Sequence, residues 1–179
     1  MFLRLRSLQG DHEHVEKSFE ASRFEGAGGD VFRVVSPMLL SFNIDRQEPT
    51  RYRVAGRVTG KLELTCSRCL EPFTLPVVSP FDLRYVPRAD TAGGGERELR
   101  EDDLATACYD EDQIDLGELI TEQCQLALPM KPLCSEGCKG LCSQCGANLN
   151  TATCGCIEKW DDQRLAALKN LGSKNPNGR

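Results

Sequence analysis

The crowding of cysteines in the last third of the chain is the feature that most constrains what it can fold into. Of ten cysteines in 179 residues, six lie within one 23-residue stretch. Two arginines interrupt any apolar signal core at the amino terminus, so we expect a chain kept in the reducing cytosol. There, clustered cysteines favour metal ligation over disulfides. The clustered residues are Cys134, Cys138, Cys142, Cys145, Cys154 and Cys156.

The number of clustered cysteines predicts a contribution from elsewhere in the chain. A structural zinc ion takes four thiolates in a closed tetrahedral site, so six thiols would leave two without an ion. Cys66 and Cys69, in a C-x2-C spacing, raise the total to eight. We therefore expect two structural zinc ions per chain.

Two groupings of these eight cysteines are compatible with their spacing. The first places the last four in one local site, because a C-x2-C knuckle and a C-x-C segment can close on one ion. Cys134 and Cys138 then meet Cys66 and Cys69 and fasten the tail to the sheet. The second grouping puts the first four cysteines of the cluster on one ion and leaves the last two for the distant pair.

The distant pair also has an interpretation as a redox dithiol, with Arg68 lowering the pKa of a thiol. Redox dithiols usually open a helix in a βαβ unit. Cys66 and Cys69 instead follow a predicted strand of an antiparallel sheet. This position favours metal binding over redox chemistry.

The remaining candidate ligands are interpreted as structural or solvated. A catalytic zinc ion usually has histidine or carboxylate ligands. The only histidines, His12 and His14, lie in a polar stretch that is typical of a solvated loop. Cys108 and Cys124 are solitary, and we interpret both as small core residues.

Alternating apolar and polar residues predict a sheet of short antiparallel strands. Leu3 and Leu5 alternate with arginines, and apolar runs follow at residues 31–35 and 39–44. The clearest strand is Thr50 to Val58, and a turn at Gly60 is expected to close a hairpin. Further strands are predicted at residues 73–78, 81–86 and 104–109, with prolines confining the first two to edges or bends.

One amphipathic helix is predicted after this sheet. Asp115 is a candidate N-cap with Glu118 three positions later, as in a capping box, and Pro129 ends the helix. A second helical pattern begins at Ile157 and is closed by Gly172. The apolar stripe of the first helix consists of Leu116, Leu119, Ile120, Cys124, Ala127 and Leu128.

These patterns together predict an α+β fold, in which a curved antiparallel sheet packs against one amphipathic helix. We expect residues 1–130 to form this sheet-and-helix domain and residues 131–172 to form a zinc-binding tail with a short helix. Residues 173–179 are expected to be disordered. No stretch approaches the roughly 18 apolar residues of a membrane helix.

Charge is distributed unevenly along the chain. The formal charge of −5 argues against a nonspecific polyanion binder. Residues 96–123, however, hold 11 acidic and 2 basic side chains, so the remainder is net basic.

Arg51, Arg53 and Arg57 share one face of the clearest strand and are candidates for binding nucleic-acid phosphates. The alternative is an ordinary solvated face, because Tyr52, which could stack on RNA bases, has the opposite parity.

Three segments resemble a known family: CSRCLEP at residues 66–72, IDLGELITEQ at 114–123, and residues 128–150 with LPMKPLC and CKGLCSQCGANLN. They resemble the bacterial YceD family, the large ribosomal RNA subunit accumulation proteins. The resemblance implies a cytosolic, non-catalytic factor in accumulation or maturation of large-subunit ribosomal RNA. Some members of the family keep residues like Cys66 and Cys69 and a Cys/His pair at the positions of Cys134 and Cys138, but lose the later cysteines. This variation agrees with the first grouping.

The leading hypothesis is therefore a ribosome-assembly factor that binds large-subunit ribosomal RNA or a ribosomal protein through surfaces held rigid by zinc. It has no membrane or small-molecule partner. A zinc-ribbon adaptor or transcription-related binding module is the second hypothesis. A thiol redox protein that uses Cys66 and Cys69 is the third.

Overall fold

The computed structural model describes residues 1–91 and 104–156. The predicted helix at 157–172 and the predicted disorder at 173–179 lie outside these residues. Within the described ranges, no helix combines the length and apolar character needed to cross a membrane.

A curled, mixed β-sheet and one longer helix make up the body of the protein. Six strands form the main sheet in the order β2-β4-β5-β6-β7, with β3 beside β5, and β1 pairs separately with β8. The strands are β1 (Phe2–Arg4), β2 (His12–Phe19), β3 (Arg33–Val34), β4 (Met38–Glu48), β5 (Arg51–Thr65), β6 (Pro72–Pro87), β7 (Thr106–Tyr109) and β8 (Gln113–Asp115), and the helices are α1 (Arg88–Thr91) and α2 (Leu116–Leu126).

The prediction of a wholly antiparallel sheet is wrong at one pairing. Strand β7 runs parallel to the end of β6, with Arg84 opposite Thr106 and Pro87 opposite Tyr109. A parallel neighbour requires a crossover of about a dozen residues or more, and residues 88–105 supply that length. The other strand pairs are antiparallel, as expected.

Strands β5 and β6 form one long hairpin, so the predicted turn at Gly60 is wrong. Their register runs from the pair Tyr52 and Tyr85 to the pair Thr65 and Pro72. Gly60 lies inside β5, where an added Cβ would come within 2.9 Å of the Met38 side chain. The glycine therefore makes room for a buried neighbour and does not reverse the chain.

The two strands predicted at residues 73–78 and 81–86 are parts of β6. Pro76 and Pro80 lie within this strand, opposite Lys61 and Arg57 of β5. The described pairing of β6 with β7 begins only at Arg84. Within residues 1–91 and 104–156, the prolines therefore lie where β6 pairs on one side only, a position that tolerates a missing N–H donor.

His12 and His14 lie in strand β2, so the prediction of a loop is wrong. Both side chains are exposed, and Nδ1 of His14 lies 2.7 Å from Oδ1 of Asn43 on β4. Val15 is the buried residue of this edge strand. A single buried position gives too little alternation to predict a strand.

Helix α2 covers the inner face of the sheet and confirms the predicted amphipathic helix. Oδ1 of Asp115 accepts a hydrogen bond from the backbone N–H of Gly117 at 2.7 Å, the expected N-cap contact.

On the core-facing side of α2, Gln123 is buried and accepts a hydrogen bond of 3.1 Å from the Ser79 hydroxyl on β6. Cys124 is buried in the core as predicted, whereas Cys108 is only half-buried. The core side of α2 consists of Leu116, Leu119, Ile120, Gln123 and Cys124.

Candidate metal centres

Four cysteines from distant parts of the chain converge at the end of the long hairpin, and we term them the first quartet. Their four Sγ atoms all lie within 4.8 Å of one another. Two of the separations are 3.8 Å, between Cys66 and Cys138, and 3.7 Å, between Cys69 and Cys134. Four sulfurs bound 2.3 Å from one tetrahedral ion lie about 3.8 Å apart. The first quartet therefore has the size of a four-thiolate metal site.

The hairpin itself presents two of these sulfurs. The backbone N–H of Leu70 bonds to the carbonyl of Cys66 at 3.0 Å, and the N–H of Cys66 bonds to the carbonyl of Glu71 at 2.9 Å. Leu70 adopts a positive φ of 60° to complete this tight turn. The turn between β5 and β6 is thus the C-x2-C knuckle, six residues beyond the predicted turn at Gly60.

Backbone contacts hold the tail against this knuckle. Ser67 N–H donates to the carbonyl of Pro132 at 2.8 Å, and Leu141 N–H donates to the carbonyl of Arg68 at 3.1 Å. The Arg68 guanidinium also donates to the carbonyl of Cys138 at 2.9 Å. Because these contacts flank the tail cysteines on both sides, they position the sulfurs of Cys134 and Cys138 opposite the hairpin.

The last four cysteines form the second quartet, which is local to the tail. Their Sγ atoms also lie within 4.8 Å of one another. The N–H of Gly146 donates to the carbonyl of Cys142 at 2.9 Å, and Gly146 has a φ of 74°. This is the turn that Leu70 makes in the other knuckle, with glycine at the left-handed position. The second quartet consists of Cys142, Cys145, Cys154 and Cys156.

The structure assembles the cysteines as in the first of the two groupings considered from the sequence. The competing set, Cys134 and Cys138 with Cys142 and Cys145, is not brought together in the described part of the chain. The first quartet is the more enclosed: Cys66, Cys69 and Cys138 are at most 3% exposed, and Cys134 is its one exposed member. In the second quartet, two cysteines are exposed and two are half-buried.

The electrostatics of each quartet suit a bound cation. Backbone N–H groups, that of Cys69 first, lower the pKa of Cys66 to about 6. Backbone N–H groups, that of Cys145 first, likewise lower the pKa of Cys142 to about 6. A hydrogen bond to Cys145 and burial raise the pKa of Cys156 to about 12. One thiolate in a quartet therefore makes the neighbouring thiols harder to ionise. A bound divalent cation would remove this effect, because it stabilises all of the thiolates.

Sequence reasoning missed one side chain at the first quartet, that of Asn150. Its Nδ2 donates to Sγ of Cys138 at 3.3 Å, and this hydrogen bond is the main reason that the pKa of Cys138 is lowered. The bond joins residues 12 positions apart. No spacing rule for metal ligands includes such a donor, so the sequence contains no signal for it.

The arginines of the basic strand lie on one exposed face of β5, as predicted, but two of them are engaged by carboxylates. Arg53 makes a two-pronged contact with Asp82 on β6, at 2.8 and 2.5 Å. Arg51 lies 3.4 Å from Glu48. Arg57 has no carboxylate within 4.0 Å among the described residues. Among the three arginines, Arg57 is therefore the one without a carboxylate partner in the described ranges.

Comparisons with known proteins agree with the resemblance noted in the sequence. The profile of the family described as large ribosomal RNA subunit accumulation protein YceD matches residues 54–172. A chloroplastic YCED homolog 1 of Zea mays, named a large ribosomal RNA subunit accumulation protein, is 30% identical over 159 residues, covering 76% of this chain and 54% of its own length. The Arabidopsis thaliana protein of the same name is 27% identical over 157 residues, covering 76% and 49%.

An uncharacterized protein of Mycobacterium bovis is 36% identical over 97 residues, covering 54% of this chain and 44% of its own length. The chain thus spans about half the length of the curated relatives it matches. The comparison with solved structures gives no match. Because the family profile covers about two thirds of the chain, including α2 and both quartets, the chain belongs to the YceD family.

Proposed function

We propose that this protein is a non-catalytic factor in the accumulation or maturation of large-subunit ribosomal RNA. It acts in the cytoplasm and binds ribosomal RNA or a ribosomal protein. A sheet-and-helix body of residues 1–130 carries a cysteine-rich tail of residues 131–172, and two structural zinc ions fix the tail in place. The single observation that carries this proposal is the match of residues 54–172 to the family named for large ribosomal RNA subunit accumulation. The first quartet, in which the hairpin and the tail share one site, supports the zinc-held tail.

Zinc is the proposed ion because of the donor set. Four thiolates in a closed tetrahedral arrangement are characteristic of structural zinc. Soft sulfur ligands exclude magnesium and calcium, which prefer oxygen. Cys66, Cys69, Cys134 and Cys138 would hold one ion and the second quartet the other. A site with four protein ligands has no open position for a substrate, so its role is to stabilise the fold.

The geometry disfavours the redox alternative. A catalytic dithiol needs one accessible, reactive thiolate, whereas Cys66 and Cys69 are 0% and 3% exposed. Both sulfurs face the two tail cysteines, and the pair occupies a β-hairpin turn instead of the first turn of a helix. These features suit a structural site.

The grouping of ligands predicts distinct metal contents for two matched variants. Replacing Cys66, Cys69, Cys134 and Cys138 together by serine should leave one zinc ion per chain, because the second quartet is intact. A variant with serine at 66, 69, 142 and 145 should bind none, since each quartet keeps only two thiols. Zinc per chain is measured by inductively coupled plasma mass spectrometry after purification with added zinc.

The control is Cys108→Ser, which should keep two ions because that thiol belongs to neither quartet. The alternative grouping predicts a different result. It would leave no complete site in the first variant, so zero zinc there with two in the control contradicts the grouping.

Association with ribosome precursors tests the proposed function directly. In sucrose-gradient sedimentation of cell extracts, the protein should travel with large-subunit precursors. The variant that lacks the first quartet should shift to the top of the gradient, because its tail is no longer fastened to the sheet. Cys108→Ser should sediment as the unmodified protein does. Recovery of the unmodified protein at the top alone would contradict a role in assembly.

We also propose that Arg51, Arg53 and Arg57 form a phosphate-binding face. Arg57→Glu should weaken binding to purified bacterial large-subunit RNA and reduce the slope of log K against log salt by about one. Arg53→Glu should have a smaller effect, because Asp82 already neutralises that guanidinium.

The matched control is Arg23→Glu, which changes an exposed arginine on the short turn at Ala21–Phe24. Filter binding across a salt series measures both quantities, and an Arg57→Glu protein that binds like the control contradicts this face.

A further inference from the structure

The two quartets are connected by a side chain as well as by the backbone. Asn150 lies in the segment between Cys145 and Cys154, both ligands of the second quartet. Its Nδ2 nevertheless donates to Sγ of Cys138, a ligand of the first quartet, at 3.3 Å. Cys138 is 3% exposed whereas Asn150 is exposed, so this hydrogen bond is shielded from water on the sulfur side.

The orientation of the Asn150 amide is fixed by its other contacts. Its Oδ1 accepts the backbone N–H of Lys139 at 2.8 Å, so the oxygen faces the main chain next to Cys138. Its Nδ2 also donates to Oδ1 of Asn148 at 2.9 Å, and its backbone N–H donates to the same oxygen at 3.0 Å. The amide nitrogen therefore faces the sulfur, and a flipped amide would lose the bond from Lys139.

The position of Asn150 depends on the loop that the second quartet closes. The loop is held by hydrogen bonds from Leu149 N–H to the carbonyl of Gly140 at 2.9 Å and from Ala152 N–H to the carbonyl of Asn148 at 2.9 Å. The N–H of Cys142 also donates to the carbonyl of Ala147 at 2.8 Å, and Nδ2 of Asn148 donates to Glu71 at 3.5 Å. The ends of the loop are the ligands Cys145 and Cys154. Without an ion in the second quartet, the anchors at these two ends are lost and the loop gains conformational freedom.

We propose that Asn150 is a positioning residue that couples the two metal sites: an ion in the second quartet holds the Asn150 amide on Cys138 and thereby strengthens metal binding by the first quartet. This inference rests on the proposed function only in requiring that both quartets bind metal. Hydrogen bonds to ligand atoms typically change metal affinity by 10- to 100-fold when removed. Because coupling free energies are reciprocal, the first ion strengthens the second site by the same factor.

The test is a double-mutant cycle on the zinc-loaded full-length chain. Zinc release from the first quartet is followed with the chelator 4-(2-pyridylazo)resorcinol, in the original background and with Cys142 and Cys145 replaced by serine. Asn150→Ala is made in both backgrounds. The matched control is Asn43→Ala, an exposed asparagine on β4 that lies outside both quartets. Zinc content is measured first, so that failure of metal binding is distinguished from absence of coupling.

Asn150→Ala and loss of the second quartet should each speed zinc release from the first quartet about tenfold. Combining them should add less than twofold, because the second change removes a contact that is already lost. Asn43→Ala should leave the rate within twofold. Release within twofold in the Asn150→Ala protein overturns the proposal. So does a tenfold effect of Asn150→Ala that persists without the second quartet, because the contact would then not depend on that site.

The unmodified chain gives a second measurement that requires no substitution at Asn150. The chain is loaded with one and then two equivalents of ¹¹³Cd²⁺, and each NMR signal is assigned with proteins that lack one quartet. The signal of the quartet that fills first should move as the other fills, because the hydrogen bond to Cys138 becomes fixed. An unchanged signal overturns the coupling even if Asn150→Ala fails to fold.

Discussion

The convergence of four thiols at the end of the long hairpin is the constraint on which the rest of the structure depends. Thiolates placed this close repel one another unless a cation neutralises them. A closed four-sulfur site therefore favours metal binding and folding as one process. In this chain the four thiols lie on the turn after β5 and on a tail that follows α2, so an ion bound there would fix elements that are far apart in sequence.

The sheet fixes the position of the two cysteines that the hairpin contributes to this site. Uninterrupted pairing of β5 with β6, from Tyr52 and Tyr85 to Thr65 and Pro72, places the knuckle at the end of the long hairpin. The buried face of this hairpin shares one core with α2, whose N-cap is made by Asp115. The hairpin and the helix therefore fix the direction in which Cys66 and Cys69 face the tail. Membership of the YceD family connects this architecture with large-subunit ribosomal RNA accumulation, the property for which the family is named.

Local signals explain what the sequence predicts correctly. Asp115 and Pro129 bracket α2 because capping and termination depend on a few neighbouring residues. The alternation from Arg51 to Val58 marks one strand because its two faces differ sharply in polarity. One zinc ion binds four sulfurs, so eight candidate cysteines predict two quartets.

Features that depend on distant contacts are the ones that sequence reasoning misses. Gly60 has the signature of a turn, yet it is needed where Met38 packs against β5. The parallel pairing of β7 with β6 joins strands that are separated by residues 88–105. Asn150 reaches Cys138 only because the knuckle contacts fold the tail back on itself. In each case the residue type is locally ambiguous, and a partner elsewhere in the fold decides its role.

X-ray absorption at the zinc edge tests the central claim most directly. The sample is the protein with Cys142 and Cys145 replaced by serine, which isolates the first quartet. We expect four sulfur neighbours at about 2.3 Å from the zinc ion and no nitrogen or oxygen ligand. A first shell containing oxygen or nitrogen, or fewer than four sulfurs, would contradict the claim that the hairpin and the tail share one four-thiolate site.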